Sequence, residues 1–243
     1  CHWHLYPDER IKKFYTASMK PYLMGKYFEE FPEESTFVYN YLDPDCIFTK
    51  PMDFTPFLED DNTWYGSDTY GYTGEKYIKE KGEQLFYDLC NIVGVDPTLM
   101  EGKRGWEIGA QYFIKNNTPE IWFEIENKSS DAFLYMKQTA KKYHPEGHQY
   151  PIQAWCSEMY ITQMVALKYG IKLQVTPLMD FHWADHDIKN WFKKPYFHNA
   201  GQVKDNGKHF CKITYQSSPF RKNIKIIPTS ASYNYMQLVK KTE

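Results

Sequence analysis

The 243-residue chain has no run of about 18 apolar residues, so no transmembrane helix is expected. It lacks a P-loop, since Gly102–Gly105 reads GKRG rather than G-x-x-x-x-G-K-[ST]. It also has neither a Rossmann G-x-G-x-x-G nor a serine nucleophile elbow. Cysteines are few: Cys1, Cys46, Cys90, Cys156 and Cys211, with no C-x-x-C spacing. An odd, dispersed set predicts free buried thiols in a reducing compartment, not a disulfide frame or a zinc site. There is no internal repeat, low-complexity tract or long linker. Neither a Met nor a signal-peptide pattern opens the chain at Cys1, so upstream residues are expected to be missing.

Aromatic residues are abundant, with 21 Tyr, 16 Phe and 7 Trp. They supply large apolar surface for a core and for stacking. The net charge of −2 is uneven: Gly201 to Glu243 carries +6 and the remainder −8. This basic segment would suit diphosphate, nucleic acid or an acidic partner, or simply form a solvated face.

Apolar spacing predicts a helix within Asp8–Phe31, kinked or broken at Pro21. A strand is expected over Thr36–Leu42, irregular chain over Asp53–Gly74, and a helix over Glu75–Val93 with Gly82 as its weak point. Arg104–Lys115 reads as a glycine-bearing loop feeding a short strand. Pro151–Tyr169 has the strongest helical pattern, stopped by Gly170. Lys172–Val175 and Met179–Trp183 read as short strands. Alternating strands and helices predict a single α/β domain over residues 1–243, a mixed and mostly parallel sheet flanked by helices.

Four segments carry chemistry. An apolar run ends in Asp43-Pro44-Asp45, and Pro44 cannot continue a central strand. Two carboxylates one residue apart at a strand end suit Mg²⁺ or Mn²⁺, although Asp and Pro are also ordinary turn residues. Gly66-Ser67-Asp68 is either a surface turn or a carboxylate offered to sugar hydroxyls. In Trp155-Cys156-Ser157-Glu158-Met159-Tyr160, Glu158 opens an otherwise apolar helix, so it must be exposed, paired or aimed into a cleft. In Tyr196-Phe197-His198-Asn199-Ala200-Gly201, His198 is a structural histidine or a third ligand beside two carboxylates. His182, His186 and Asp187 form a metal-like cluster, with matching His or Cys ligands absent elsewhere.

In this order the segments resemble a GT-A glycosyltransferase. The run through Asp43-Pro44-Asp45-Cys46-Ile47-Phe48 resembles the hydroxyproline arabinosyltransferase and peptidyl-serine galactosyltransferase group, as does the W-x-x-E-M-Y of Trp155, Glu158, Met159 and Tyr160. His198-Asn199-Ala200-Gly201 resembles the C-terminal His-x-x-Gly of glycogenin-type retaining transferases, without their Lys-Pro-Trp tail. The resemblance implies a GT-A fold whose usual first nucleotide-gripping strand lies upstream of Cys1. It implies Mn²⁺ or Mg²⁺ held by Asp43, Asp45 and His198. A nucleotide sugar, of UDP type, would be bound by Asp43, Asp68, Gln111, Gly201 and Lys204, with Lys208 and Lys212 as other phosphate partners. Glu158 would act catalytically, positioning the acceptor in a retaining enzyme or serving as general base in an inverting one. The acceptor stays open among protein, glycan, small molecule and hydroxymethylated phage DNA. Cysteine usage and the absent anchor point to a cytoplasmic enzyme, bacterial or viral. A non-catalytic scaffold of the same fold is the alternative.

Overall fold

A computed structural model of the protein describes residues 2–58, 62–143, 151–200, 208–212 and 224–241. Its helices are α1 (Met19–Glu30), α2 (Tyr70–Thr73), α3 (Glu75–Lys81), α4 (Glu83–Val93), α5 (Pro119–Tyr143), α6 (Ser157–Lys168) and α7 (Ala231–Lys241). Its strands are β1 (Tyr39–Tyr41), β2 (Cys46–Phe48), β3 (Thr63–Asp68), β4 (Ile108–Ile114), β5 (Lys172–Val175), β6 (Phe181–His182) and β7 (Tyr196–His198). The chain divides into two compact units, Cys1–Asn40 with Phe57–Val175, and Tyr41–Pro56 with Thr176–Glu243. None of the described helices is long and apolar enough to cross a membrane.

The first unit is built on a sheet of order β1-β4-β3-β5. Inner strand β3 runs antiparallel to inner strand β4 and parallel to edge strand β5, so the sheet is mixed rather than mostly parallel. The expectation of irregular chain over Asp53–Gly74 is corrected by β3, an inner strand. Gly66, Ser67 and Asp68 look like turn residues, but Thr63 to Ser67 are all buried. Alternation along the strand sends Trp64 to Trp122, stacked at 5.6 Å, and Tyr65 to Phe57 at 5.0 Å. The Trp64 indole N–H donates to the Lys115 carbonyl at 2.8 Å, which satisfies the one polar atom of a fully buried ring.

The 25-residue α5 was not anticipated from sequence, yet it is the longest described helix and packs on α1 and α6. Its buried side Ile121, Trp122, Ile125, Ser129, Ala132 and Met136 follows helical spacing, but the buried serine interrupts the apolar stripe. The Ser129 carbonyl accepts the Ser157 hydroxyl at 2.7 Å, which joins α5 to the start of α6. Gly25 lets α1 approach closely, since a Cβ there would lie 2.6 Å from the Phe123 ring. Pro21 falls in the first turn of α1, where its missing N–H costs nothing, so it does not break the helix. Gly82 does divide α3 from α4, and a side chain there would strike Tyr143 at 2.6 Å. The helix expected from Pro151 begins only at Ser157, after a 3-10 turn over Ala154–Cys156.

The second unit holds a three-stranded sheet, β2-β7-β6, with β7 antiparallel to β2 and parallel to β6. The strand expected over Met179–Trp183 shortens to Phe181–His182, because a 3-10 turn covers Pro177–Met179. Ala184, Trp191, Phe197 and Ala231 form its core, with Ile47 and Tyr235 packed against them. The Ser232 N–H donates to the Ala184 carbonyl at 3.1 Å and tethers the first turn of α7 to that core.

Replacing Trp64 by alanine should lower unfolding stability by about 3–5 kcal/mol, since it empties a fully packed site and orphans the Lys115 carbonyl. The control Trp155→Ala removes a half-exposed ring and should cost under about 1 kcal/mol. Urea unfolding measures both, and equal losses would contradict this packing.

Candidate metal centre

The site in the second unit starts from a tight turn. Asp43, Pro44, Asp45 and Cys46 form a β-turn closed by the Cys46 N–H on the Asp43 carbonyl at 3.0 Å. Asp at the first corner and Pro at the second are what such a turn favours. The strand expected to lead into it is short: a 3-10 turn takes Pro32–Thr36, and β1 covers only Tyr39–Tyr41. Beyond the turn, β2 pairs with β7 in a register that sets Cys46 opposite His198. The Asn199 N–H continues the ladder onto the Asp45 carbonyl at 3.1 Å. Strand pairing therefore carries His198 to both carboxylates, its Nε2 lying 3.4 Å from Asp43 Oδ2 and 3.5 Å from Asp45 Oδ1. Phe181 lies against the imidazole at 5.3 Å between ring centres, and Trp183 stacks on it at 6.3 Å.

Charge is concentrated here. Burial alone would lower the His198 pKa, but Asp43, then Asp45, then Cys46 outweigh it and push it up to about 11. Burial would raise the Asp45 carboxyl, but His198 and Lys212 outweigh it and hold it below the usual carboxylate range. Lys212 Nζ lies 2.5 Å from Asp45 Oδ2. Asp45, Cys46 and His198 each offer a ligand atom, all within 4.8 Å of one another. Adjacent ligands bound at about 2.1 Å stand roughly 3.0–3.4 Å apart, and the 3.5 Å between His198 Nε2 and Asp45 Oδ1 is close to that spacing. Two carboxylates and an imidazole suit Mn²⁺ or Mg²⁺, and a thiolate would add affinity for softer metals. The converging donors are Asp45, Cys46 and His198; Asp43 reaches His198 Nε2 but is not among them.

In the sequence Cys46 stands out only as one of five dispersed thiols. Its signal was adjacency to Asp45, visible only once Cys46 is known to pair with His198. Among the described cysteines, Cys90, Cys156 and Cys211 are buried and Cys46 is half-buried, and none of the four is in a disulfide.

The remaining expected site residues lie in the first unit or outside the described residues. Glu158 is buried in the first turn of α6, with its Oε1 4.0 Å from Lys20 Nζ. Its backbone N–H donates to the Tyr15 hydroxyl, which donates in turn to the Trp155 carbonyl at 2.6 Å. Asp68 is exposed at the end of β3, accepting the Tyr70 N–H at 2.9 Å, with Arg104 at 3.8 Å. Gln111 is 0 % exposed and accepts the Ser67 hydroxyl at 3.3 Å across the bulge where β3 and β4 change register. Ala110, beside it, takes φ 60°, a left-handed backbone that only the bulge explains. Gly201 and Lys204 lie outside the described residues, as do Arg221 and Lys222 of the basic segment. Lys208 is described and exposed. His182 and His186 do not join a third ligand: among the described residues only the Asp45–Cys46–His198 group converges closely enough for a metal.

No protein-family model, curated protein or solved structure matches this chain.

The His198 cluster makes stability pH-dependent with a defined sign. Below its unfolded pKa of 6.5 the imidazole is protonated whether the chain is folded or not, and the pairing contributes in full. Above that value only the folded protein keeps the proton, so the contribution falls by at most about 1.4 kcal/mol per pH unit and is gone past about 11. Urea unfolding with chelator present should show the wild type's advantage over His198→Gln narrowing from about pH 6.5 to about pH 9. An advantage that stays constant or widens would contradict the pairing.

Proposed function

We propose that the chain is a divalent-cation-dependent glycosyltransferase, moving a sugar from a nucleoside diphosphate of UDP type to an acceptor hydroxyl. The observation that carries this reading is the meeting of His198 with Asp43 and Asp45, from segments more than 150 residues apart. Hard oxygen ligands with one imidazole are the donor set for Mn²⁺ or Mg²⁺. Such an ion, when bound, neutralises charge developing on a departing diphosphate.

The chain's own residues have separate tasks in this reading. Asp43 and Asp45 hold the ion with His198, whose ring must give up its proton to do so. Lys212, now on Asp45, would take a phosphate oxygen in a charge-assisted hydrogen bond. Phe181 and Trp183 shield the imidazole from water and fix its plane. Glu158 belongs to the other unit, so its acceptor-side role rests on the resemblance alone; there its carboxylate is buried with Lys20 Nζ 4.0 Å away.

A second reading has its own observation. His198 and Lys212 together already balance the charge of Asp43 and Asp45. The cluster would then be an internal staple in a non-catalytic binding module. Thermal unfolding with Mn²⁺ and UDP separates the two: at 100 times Kd a bound ligand adds about 2.7 kcal/mol, and no gain with any nucleotide would favour the staple.

A panel of UDP-sugars offered to peptides, glycans and hydroxymethylated DNA, read by mass spectrometry, should show Mn²⁺-dependent transfer. Asp45→Asn keeps the shape and removes ligand charge, so it should lower that transfer roughly 100-fold or more. Wild-type turnover in the variant would remove the metal from the chemistry. Glu158→Gln should lower kcat while leaving KM for the donor near wild type. A rise in KM alone would return Glu158 to a structural role.

A further inference from the structure

On the side of β6 away from His198, the second unit contains a cavity of about 400 Å³, lined by His182, His186, Asp187, Asn190, Lys193 and Lys194. Alternation along the strand separates it from the carboxylate cluster. Phe181 and Trp183 turn toward His198, while His182 turns toward Trp191, stacked at 6.4 Å, and His186 at 5.7 Å.

The lining selects the sign of a ligand. Lys193 and Lys194 both line the cavity, and Lys194 Nζ lies 3.9 Å from Asp180 Oδ2. His186 Nδ1 accepts the Trp183 N–H at 3.3 Å, which leaves its Nε2 carrying the proton as a donor. His182 is 1 % exposed, and neither ring nitrogen makes a hydrogen bond of good geometry, although the Asn190 and Trp191 backbone comes near. Burial first, then His186 and Lys194, push His182 down to about 4, and burial and Lys194 lower His186. Both rings are therefore neutral at pH 7, and the positive charge belongs to the lysines. The single carboxylate of the lining, Asp187, is engaged by the Lys189 N–H at 2.9 Å. A cation is disfavoured on the same grounds: the two imidazoles and Asp187 do not converge as ligands, and two ammonium groups would repel it.

We propose that this cavity binds a phosphate group, held by the ammonium groups of Lys193 and Lys194 and by the Nε2–H of His186. Two cations facing one anion favour a phosphate over a carboxylate of single charge. The volume exceeds that of the phosphate and leaves room for a small organic body attached to it. Its carrier is free phosphate or a phosphomonoester of a small molecule. The site does not depend on the glycosyltransferase reading.

Imidazole nitrogen NMR of the full chain tests this, with inorganic phosphate, glucose 6-phosphate, acetate and chloride titrated at matched ionic strength. Phosphate and glucose 6-phosphate should shift the His182 and His186 ring signals saturably, and the tighter of the two identifies the carrier. Lys194→Met should weaken that binding about tenfold or more, and Lys194→Arg should retain it, which controls for misfolding. Asp45→Asn should leave it unchanged. Shifts matched by acetate or chloride, ring signals that do not move, or full affinity in a folded Lys194→Met would each overturn the proposal.

Discussion

The pairing of Cys46 with His198 is the contact on which the second unit's chemistry depends. It joins a turn near the start of this unit to a strand far along the chain. Both strands are only three residues long, so their backbone ladder is modest by itself. Charge supplies the rest. A buried imidazolium needs an anion beside it, and the Asp43–Asp45 turn presents two. Removing any one member leaves another uncompensated, which is why turn, register and charge stand or fall together.

That interdependence also explains how one short strand serves two places. In β6 a period of two residues is enough to give His198 its aromatic neighbours and to aim His182 elsewhere. The first unit handles its polar interior differently. Gln163 donates to Thr73 at 3.1 Å and lies 3.4 Å from Thr69, and Thr69 donates to the Glu107 carbonyl at 2.9 Å. These bonds lie near the bulge that holds Ser67 against Gln111, and they make buried polar groups a framework for β3 and β4.

Local signals were legible in the sequence. Pro44 between two aspartates forces a turn, Gly82 marks the boundary of α3 and α4, and Lys172–Val175 forms the short strand expected there. What failed needed tertiary information. Strand β3 carries Gly, Ser and Asp because neighbouring strands enclose it, and propensity cannot see enclosure. Helix α5 hides behind the buried Ser129, whose carbonyl and hydroxyl find partners only in the folded state. At the site, the two aspartates and His198 could be named as candidates from residue type, but Cys46 could not, and the ion pair of Lys212 with Asp45 was visible only in space.

Mn²⁺ binding measured directly by electron paramagnetic resonance tests the proposed cation site of Asp43, Asp45 and His198 without assuming any substrate. Titrating the full chain should quench the free Mn²⁺ signal to a stoichiometry of about one ion per chain. The Asp45→Asn and His198→Leu variants should each lose that binding, because removing either ligand dismantles the same coordination sphere. Mn²⁺ bound equally well by both variants, or not bound by the wild type at all, would contradict the account.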